Sequence, residues 1–87
     1  MYVIMVYDVG AKRVMKVLKI GRKYLTHVQN SVLEGEISKT YLRKMKMELR
    51  KVINKKHDTV LFYIMFSERQ IKKERMGIAT DEPIEIL

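Results

Sequence analysis

The sequence predicts a single α+β domain in which two amphipathic helices pack on one face of a β-sheet. Two short runs, residues 2–7 (YVIMVY) and 59–66 (TVLFYIMF), are apolar at nearly every position, which is typical of strands covered on both sides. Between them, residues 11–24 and 39–54 repeat apolar side chains at helical spacing. A chain of 87 residues has room for one such domain with one hydrophobic core.

The chain begins with a strand that is followed by a basic helix. The strand, residues 2–7, ends at Asp8, and Gly10 then allows the chain to turn. The helix is predicted over residues 11–24, with Gly21 weakening its last turn. The residues of this helix that we expect to face the core are Ala11, Val14, Met15, Val17 and Leu18.

Residues 26–37 are rich in β-branched side chains and predict a tight hairpin. Its arms are residues 26–29 and 32–37, with Asn30 and Ser31 at the turn. A single strand interrupted by a bulge is the alternative interpretation of the same pattern.

The second half of the chain repeats the order of helix and strand. Ser38 is the predicted N-cap of a helix that runs to about Asn54. After the strand at 59–66, residues 69–75 predict a short charged edge strand, and the alternation in residues 83–87 (PIEIL) predicts a final strand. The residues of the second helix expected at helical spacing in the core are Tyr41, Met45, Leu49, Val52 and Ile53.

The resulting order, β-α-β-β-α-β with an added C-terminal strand, is the ferredoxin-like pattern. Helices cover one face of such a sheet, yet both long strands offer apolar side chains to two faces. An identical sheet is the simplest cover for the second face, so we predict a homodimer with its sheets packed face to face. Residues 1–77 would form the domain and residues 78–87 would complete the interface. The expected interface residues are Ile84, Ile86 and Leu87.

The charge of the chain is high and unevenly distributed. The net charge is +8. All 18 Lys and Arg residues fall in three segments, with six in 11–23, eight in 39–56 and four in 69–75. Residues 76–87 hold three acids and no base. A lysine-rich thermophile surface is the alternative, but a merely solubilising surface usually mixes the two signs. The segregation favours nucleic acid as the partner.

Several classes of protein are excluded by the residues that the chain lacks. It has no Cys, which rules out disulfides and thiolate metal sites and is compatible with the reducing cytoplasm where we expect it. No apolar run approaches the roughly 20 residues of a membrane helix, so no membrane partner is expected. The apolar start has no basic segment before it and no cleavage site after it, so we do not interpret it as a signal peptide.

The chain resembles a known family over roughly residues 1–77. It resembles the CRISPR-associated endoribonucleases, the small dimeric partners of the integrase that inserts new spacers. Leu33 stands where the family often has Phe, and the loop after the first strand is short. The features that carry the resemblance are Tyr7-Asp8, Lys12-Arg13, the segment VQNSVLEG at 28–35, the lysine-rich second helix ending at 49–54, and Asp58 with Val60 and Tyr63.

The resemblance implies a role in CRISPR adaptation, the acquisition of spacers. The implied partners are an integrase subunit, a DNA duplex and single-stranded RNA. It also implies that Asp8 lies near the dimer axis, although on residues alone Asp8 is more simply a turn former or a helix cap. One carboxylate holds Mg²⁺ poorly, whereas two symmetry-related carboxylates with waters make a workable site. Asp8 is therefore the candidate catalytic residue and metal ligand for Mg²⁺ shared across the dimer.

The first helix is the predicted nucleic-acid-binding surface. No acid on this helix offers an ion pair, so phosphate becomes the better partner for its cations. Arg13 and Arg22 are the main candidates for phosphate contacts, because a guanidinium binds phosphate through two hydrogen bonds. The cations of the second helix rank lower, because they are spread around more of its surface. The candidates on the first helix are Lys12, Arg13, Lys16, Lys19, Arg22 and Lys23.

Three functions remain open from the sequence. The first is a metal-dependent endonuclease acting on RNA or DNA at paired Asp8 residues. The second is a non-catalytic bridge that holds DNA in the integrase complex, since one carboxylate per chain and no evident general base make strong catalysis doubtful. The third is a toxin-like RNA interferase, because similar small folds serve that role. A small-molecule-sensing regulatory domain is disfavoured by the basic charge and the lack of a glycine-rich effector loop.

Overall fold

The structure, a computed structural model, describes residues 1–77. They form a four-stranded antiparallel sheet in the order β2-β3-β1-β4, and two helices pack on one of its faces. The α+β fold and its β-α-β-β-α-β order are confirmed. The elements are β1 (Tyr2–Asp8), α1 (Val14–Arg22), β2 (Thr26–Gln29), β3 (Val32–Glu36), α2 (Lys39–Val52), β4 (Thr59–Met65) and a single 3₁₀ turn (Glu68–Gln70).

The central strand β1 sends alternate side chains into the core. Val3, Met5 and Tyr7 point towards the helices and are buried. They sit beside their antiparallel partners on β3, where Met5 lies opposite Leu33. Because side chains alternate along a strand, the even-numbered residues of β1, including Asp8, point to the other face. The full core consists of Val3, Met5, Tyr7, Val17, Ile20, Leu25, Leu33, Ile37, Leu42, Met45 and Leu49.

Helix α1 begins three residues later than predicted, and of its predicted core residues Val14, Val17 and Leu18 pack in or against the core. Residues 11–13 form a turn in which the Arg13 amide donates to the Gly10 carbonyl at 2.8 Å. Val17 and Ile20 are buried, whereas Met15 is 68% exposed. Met15 and Val17 are two residues apart and so lie on opposite sides of a helix. The prediction that Met15 faces the core was wrong, as it was for the exposed Ala11.

Helix α2 follows its predicted start. The Tyr41 amide donates to the Ser38 hydroxyl at 3.1 Å, so Ser38 is the N-cap as predicted. Met45 and Leu49 are buried as expected, but Tyr41 is 54% exposed and Leu42 takes the core position beside it. The predicted core position was therefore off by one residue, since Leu42 and not Tyr41 packs in the core.

The hairpin of β2 and β3 is confirmed, with a bulge between His27 and Gln29. Asn30 at its turn has a φ of +39°, a left-handed conformation that asparagine tolerates better than most residues. The alternative of a single bulged strand is excluded by the pairing of two strands.

The predicted edge strand over residues 69–75 is wrong. Glu68–Gln70 form a 3₁₀ turn, and no strand follows it up to residue 77. The Gln70 side chain accepts from the Phe66 amide at 2.7 Å and thereby reverses the chain after β4. The final strand predicted at 83–87, with Ile84, Ile86 and Leu87, and the boundary at residue 78 lie outside the described residues.

No helix within residues 1–77 is long and apolar enough to cross a membrane.

The burial pattern of α2 predicts unequal costs for truncating two of its methionines. Met45→Ala should lower the free energy of unfolding by about 2–5 kcal/mol, because Met45 is fully buried and its loss leaves a cavity. Met47→Ala, at a position that is 52% exposed in the same helix, should change it by less than about 0.5 kcal/mol. Urea unfolding at one protein concentration measures both. Equal losses would show that α2 packs on another face.

Candidate active site and nucleic-acid interface

Asp8 lies at the last position of β1, on the sheet face that the helices leave uncovered. It stands opposite Thr59, the first residue of β4. Its side chain is exposed, and within residues 1–77 its carboxylate has no hydrogen bond and no ion pair. Both oxygens are therefore open to a ligand from solvent or from another chain.

A second carboxylate, which the sequence reasoning did not single out as a site residue, organises the surroundings of Asp8. The Asp58 side chain is fully buried and accepts two hydrogen bonds from Arg13, from Nε at 2.5 Å and from Nη2 at 2.8 Å. It also accepts from the Gly10 amide at 2.9 Å and from the Asn54 amide at 2.8 Å. These bonds join the loop that follows Asp8 to the loop that precedes Thr59, so both strand ends at the site are fixed.

Asp58 stays ionised well into the acidic range. The hydrogen bonds from the Arg13 guanidinium hold the pKa of the Asp58 carboxyl well below its usual range, and the two backbone amides add to this effect. Burial acts in the opposite direction and is outweighed. The only sign of this role in the sequence was Asp58's place among the residues that carried the family resemblance.

Two cations of α1 are held by acids from elsewhere in the chain. Arg13 is bound to Asp58, and the Lys23 ammonium lies 2.5 Å from Glu48 of α2. Lys23 and the Tyr24 hydroxyl together lower the pKa of Glu48. The sequence analysis considered acids on the same helix only and therefore did not predict these two ion pairs. Phosphate binding by Arg13 and Lys23 stays a prediction.

The other cations of the predicted surface are placed differently. Arg22 Nη2 lies 3.4 Å from His27 Nδ1, beside the first strand of the hairpin. Lys12, Lys16 and Lys19 are exposed and make no ion pair within residues 1–77. These three lysines are the part of the predicted α1 surface that the folded domain leaves available to phosphate.

The uncovered sheet face is apolar along β1 and β4. Val6 lies opposite Leu61 and Ile4 opposite Tyr63. Leu61 and Tyr63 are 46% and 54% exposed, which is high for large side chains in the middle of a sheet. Asp8 lies at one end of this patch, on the same face.

Polar contacts occupy the other half of that face, along β3. Glu34 is buried there, where its Oε2 accepts from the Tyr2 hydroxyl at 2.9 Å and its Oε1 lies 2.5 Å from Lys73 Nζ. Burial and the Glu34 carboxylate raise the pKa of Tyr2, so its hydroxyl stays protonated and donates. Residues 71–76 line a groove together with Val28 and Val32. Residues 71–76 thus approach β2, β3 and Ile4 of β1, and none of the residues up to 77 covers Val6, Leu61 and Tyr63 in this way.

A single copy of the described domain offers few metal ligands. Within residues 1–77 no three His, Cys, Asp or Glu side chains come together as a metal site would require. At the end of the open apolar patch, Asp8 supplies accessible carboxylate oxygens, the ligand type that Mg²⁺ prefers. A second copy would have to bring further ligands.

The chain is similar to known proteins over nearly its whole length. Residues 1–74 match the family model described as CRISPR associated protein Cas2. A protein of Thermotoga maritima named CRISPR-associated endoribonuclease Cas2 is 54% identical over 82 residues, which are 94% of each chain. A protein of the same name from Dictyoglomus turgidum is 46% identical over 87 residues, the full length of both.

Solved structures agree with this likeness. A crystal structure of Cas2 that is 39% identical superposes with a TM-score of 0.86 and covers 100% of this chain and 97% of that one. The structure of Streptococcus pyogenes Cas2 is 31% identical, with a TM-score of 0.79 over 88% of this chain and 100% of that chain.

The contacts of Asp58 predict a pH-dependent stability. A carboxyl whose pKa is depressed in the folded state stabilises it above the unfolded pKa of about 4 and loses that contribution as the pH falls. Asp58→Asn should therefore destabilise the protein at about pH 7, and the gap from wild type should narrow towards about pH 3.

Urea unfolding of both proteins across this pH range measures the gap. Asp8→Asn is the matched control, because it removes an exposed carboxylate that has no partner among the described residues, and it should change the free energy of unfolding by less than about 0.5 kcal/mol. A gap for Asp58→Asn that stays constant with pH would contradict the ionic account.

Proposed function

The chain belongs to the Cas2 family of CRISPR-associated proteins, and on that basis we propose that it acts in spacer acquisition as a basic homodimer that binds nucleic acid. We propose further that it is an endonuclease that cleaves phosphodiester bonds at paired Asp8 residues with Mg²⁺. The observation that carries this proposal is the exposed Asp8 carboxylate, without a partner in residues 1–77, at the end of an open apolar sheet face.

The open patch on β1 and β4 supports the homodimer. Soluble monomers rarely leave contiguous apolar side chains such as those of Val6, Leu61 and Tyr63 in contact with water. A twofold axis lets the same patch cover itself, because each copy presents the surface that the other needs. Asp8 lies at one end of this face, so packing two sheets face to face brings the two Asp8 residues towards each other if the twofold axis runs along the strands, and we propose that it does. Ile84, Ile86 and Leu87, outside the described residues, are proposed to complete the interface.

The chemistry would be divided between the ion and the chain. Mg²⁺ held by the two Asp8 carboxylates would polarise a phosphoryl oxygen and lower the pKa of a bound water. Asp58 and Arg13 hold the loop next to Asp8 in place, so Asp8 needs no bond of its own to stay positioned. Lys12, exposed and close to Asp8 in sequence, would attract the phosphate.

The names of the relatives favour RNA as a substrate. The proteins of Thermotoga maritima and Dictyoglomus turgidum are named endoribonucleases, and we propose cleavage of single-stranded RNA for this chain too. A DNA duplex and an integrase subunit are the further proposed partners. A toxin-like RNA interferase would share the fold, but membership of a CRISPR family favours the adaptation role.

A non-catalytic bridge for DNA is the second candidate. It is favoured by the absence of a three-ligand metal cluster from the described part of the chain. In that function the rigid sheet and the exposed cations would serve as a spacer, and Asp8 would have no catalytic role.

Replacing Asp8 separates these two functions. Asp8→Asn should lower the rate of Mg²⁺-dependent cleavage of single-stranded RNA at least about a hundredfold, because the ion's stabilisation of the transition state, several kcal/mol, is lost. Folding, dimerisation and nucleic-acid binding should persist. Glu36→Gln, which removes another exposed carboxylate, is the matched control and should leave cleavage unchanged.

Cleavage is measured on labelled RNA with Mg²⁺ and again with chelator. Equal cleavage by wild type and Asp8→Asn in the presence of chelator would contradict the proposal that cleavage depends on Mg²⁺ bound at Asp8. No cleavage by wild type, with nucleic-acid binding intact, would favour the bridge.

Two substitutions in β4 test the dimer face. Leu61→Lys places a charge on the open face and should raise the dimer dissociation constant at least about tenfold, because each copy loses an apolar contact worth about 1.5–3 kcal/mol. Ile64→Lys is the control, since Ile64 is similarly exposed at 51% but stands opposite Val3 on the helix face. Sedimentation over a range of concentrations measures both. Dissociation by Ile64→Lys alone would assign the interface to the other side of the strand.

A further inference from the structure

We infer that helix α2 carries a second nucleic-acid-binding surface, a row of four cations that follows a polynucleotide backbone along the side of the helix next to β4. This inference rests on the proposed function, because it takes nucleic acid as the partner, but it places the principal contact on a different helix. The row consists of Lys39, Arg43, Lys46 and Arg50.

The four residues are spaced to form one line along the helix. Their intervals of four, three and four residues place them within a narrow arc of the helix surface. At 1.5 Å per residue the row is about 16 Å long, which spans several phosphates of one strand. The core-facing residues Leu42 and Met45 lie on a neighbouring side of the helix, so the row borders the buried face.

The row is free of acids. Glu48 is the one acid of α2. It lies two residues from both Lys46 and Arg50, so it projects from the opposite side of the helix. There it is already bound to Lys23 and Tyr24 of the α1 region.

Within residues 1–77 none of the four cations of the row makes an ion pair or a hydrogen bond with a side chain. Like charges three and four residues apart on a helix repel each other, so an uncompensated row destabilises α2. Phosphates placed along the row would relieve that repulsion. In α1, by contrast, Arg13 and Lys23 are neutralised within the domain.

Grooves lie beside the row, between α2 and the edge of the sheet. Lys46 Nζ lies 5.1 Å from the centre of the Phe62 ring on β4. Lys46 and Arg50 line one groove with Val60 and Phe62. The same two cations line a second groove with Lys39, Arg43 and Met1. The row therefore borders a recess with an apolar floor and an aromatic ring, features that suit a backbone with its bases better than free phosphate.

Nucleic acid fits this surface better than an anionic membrane does. A helix that binds in a membrane surface buries its apolar face in the lipid. The apolar face of α2 is already buried, through Leu42, Met45 and Leu49, in the core of the domain. The remaining contact is with phosphate, and a regular line of cations beside a groove matches a regular line of phosphates.

The test compares two variants of equal net charge. In the first, the four residues of the row are replaced by Gln. In the control, four other exposed lysines, Lys44, Lys51, Lys55 and Lys56, are replaced by Gln. Each is titrated against a labelled DNA duplex of about 20 base pairs and an RNA strand of about 20 nucleotides, between about 50 and 200 mM salt. Circular dichroism and urea unfolding establish that each variant is folded.

The row variant should bind at least about thirtyfold more weakly at the lowest salt. The slope of its plot of log affinity against log salt should be shallower by about three to four units, because about four phosphate contacts are lost. The control should lose less than about threefold, with a slope within about one unit of wild type. If the fourfold variant is not folded, Lys39→Gln with Arg43→Gln and Lys46→Gln with Arg50→Gln should each remove about half of the slope change.

Three outcomes would overturn the inference. Equal losses in both variants would show that binding follows net charge alone, and the proposed function would stand. Undiminished nucleic-acid binding in the row variant, with loss of binding to phosphatidylserine vesicles, would assign the row to membranes. Failure of the wild type to bind either nucleic acid would remove both the inference and the nucleic-acid part of the proposed function.

Discussion

One buried carboxylate holds together the end of the molecule that carries the candidate active site. Asp58 accepts hydrogen bonds from Gly10, Arg13 and Asn54, and these tie the loop after β1 to the loop before β4. Because β1 and β4 are paired from Tyr2 to Asp8, the clamp and the strand ladder together fix the position of Asp8. The Asp8 carboxylate is itself left unbonded within residues 1–77. The interior of the domain thus supplies the rigidity, and the Asp8 carboxylate stays exposed.

The sheet imposes the second constraint on function. The helices cover one face of the sheet. Residues 71–76 approach part of the opposite face, where Lys73 forms an ion pair with Glu34. The part that remains, along β1 and β4, ends at Asp8. If a second copy covers it, dimerisation and assembly of the metal site become one event, since one copy of the described domain has too few ligands. The proposed cation row of α2 lies next to Phe62 on the helix face of the sheet, opposite this patch, so nucleic acid and the partner chain would not have to compete.

Much of the fold could be predicted from residue patterns, because those patterns are local. The doubly apolar strand β1 and the Ser38 cap are set by their own residues and neighbours. Which apolar residues of each helix face the core was harder to predict. Residues 11–13 form a turn instead of the start of α1, and Met15 within the helix is exposed. The engagement of Arg13 by Asp58 could not be predicted from local pattern, because the two residues are 45 positions apart and only the fold brings them together.

In the proposed dimer, Asp8 forms a metal site only when two copies share it. The most direct measurement is the stoichiometry of divalent-ion binding, with Mn²⁺ as the probe, on protein whose dimeric state is verified in the same sample. We expect one tightly bound ion per two chains, which Mg²⁺ displaces and which Asp8→Asn no longer binds. One ion per chain, or binding that is unchanged in Asp8→Asn, would contradict it.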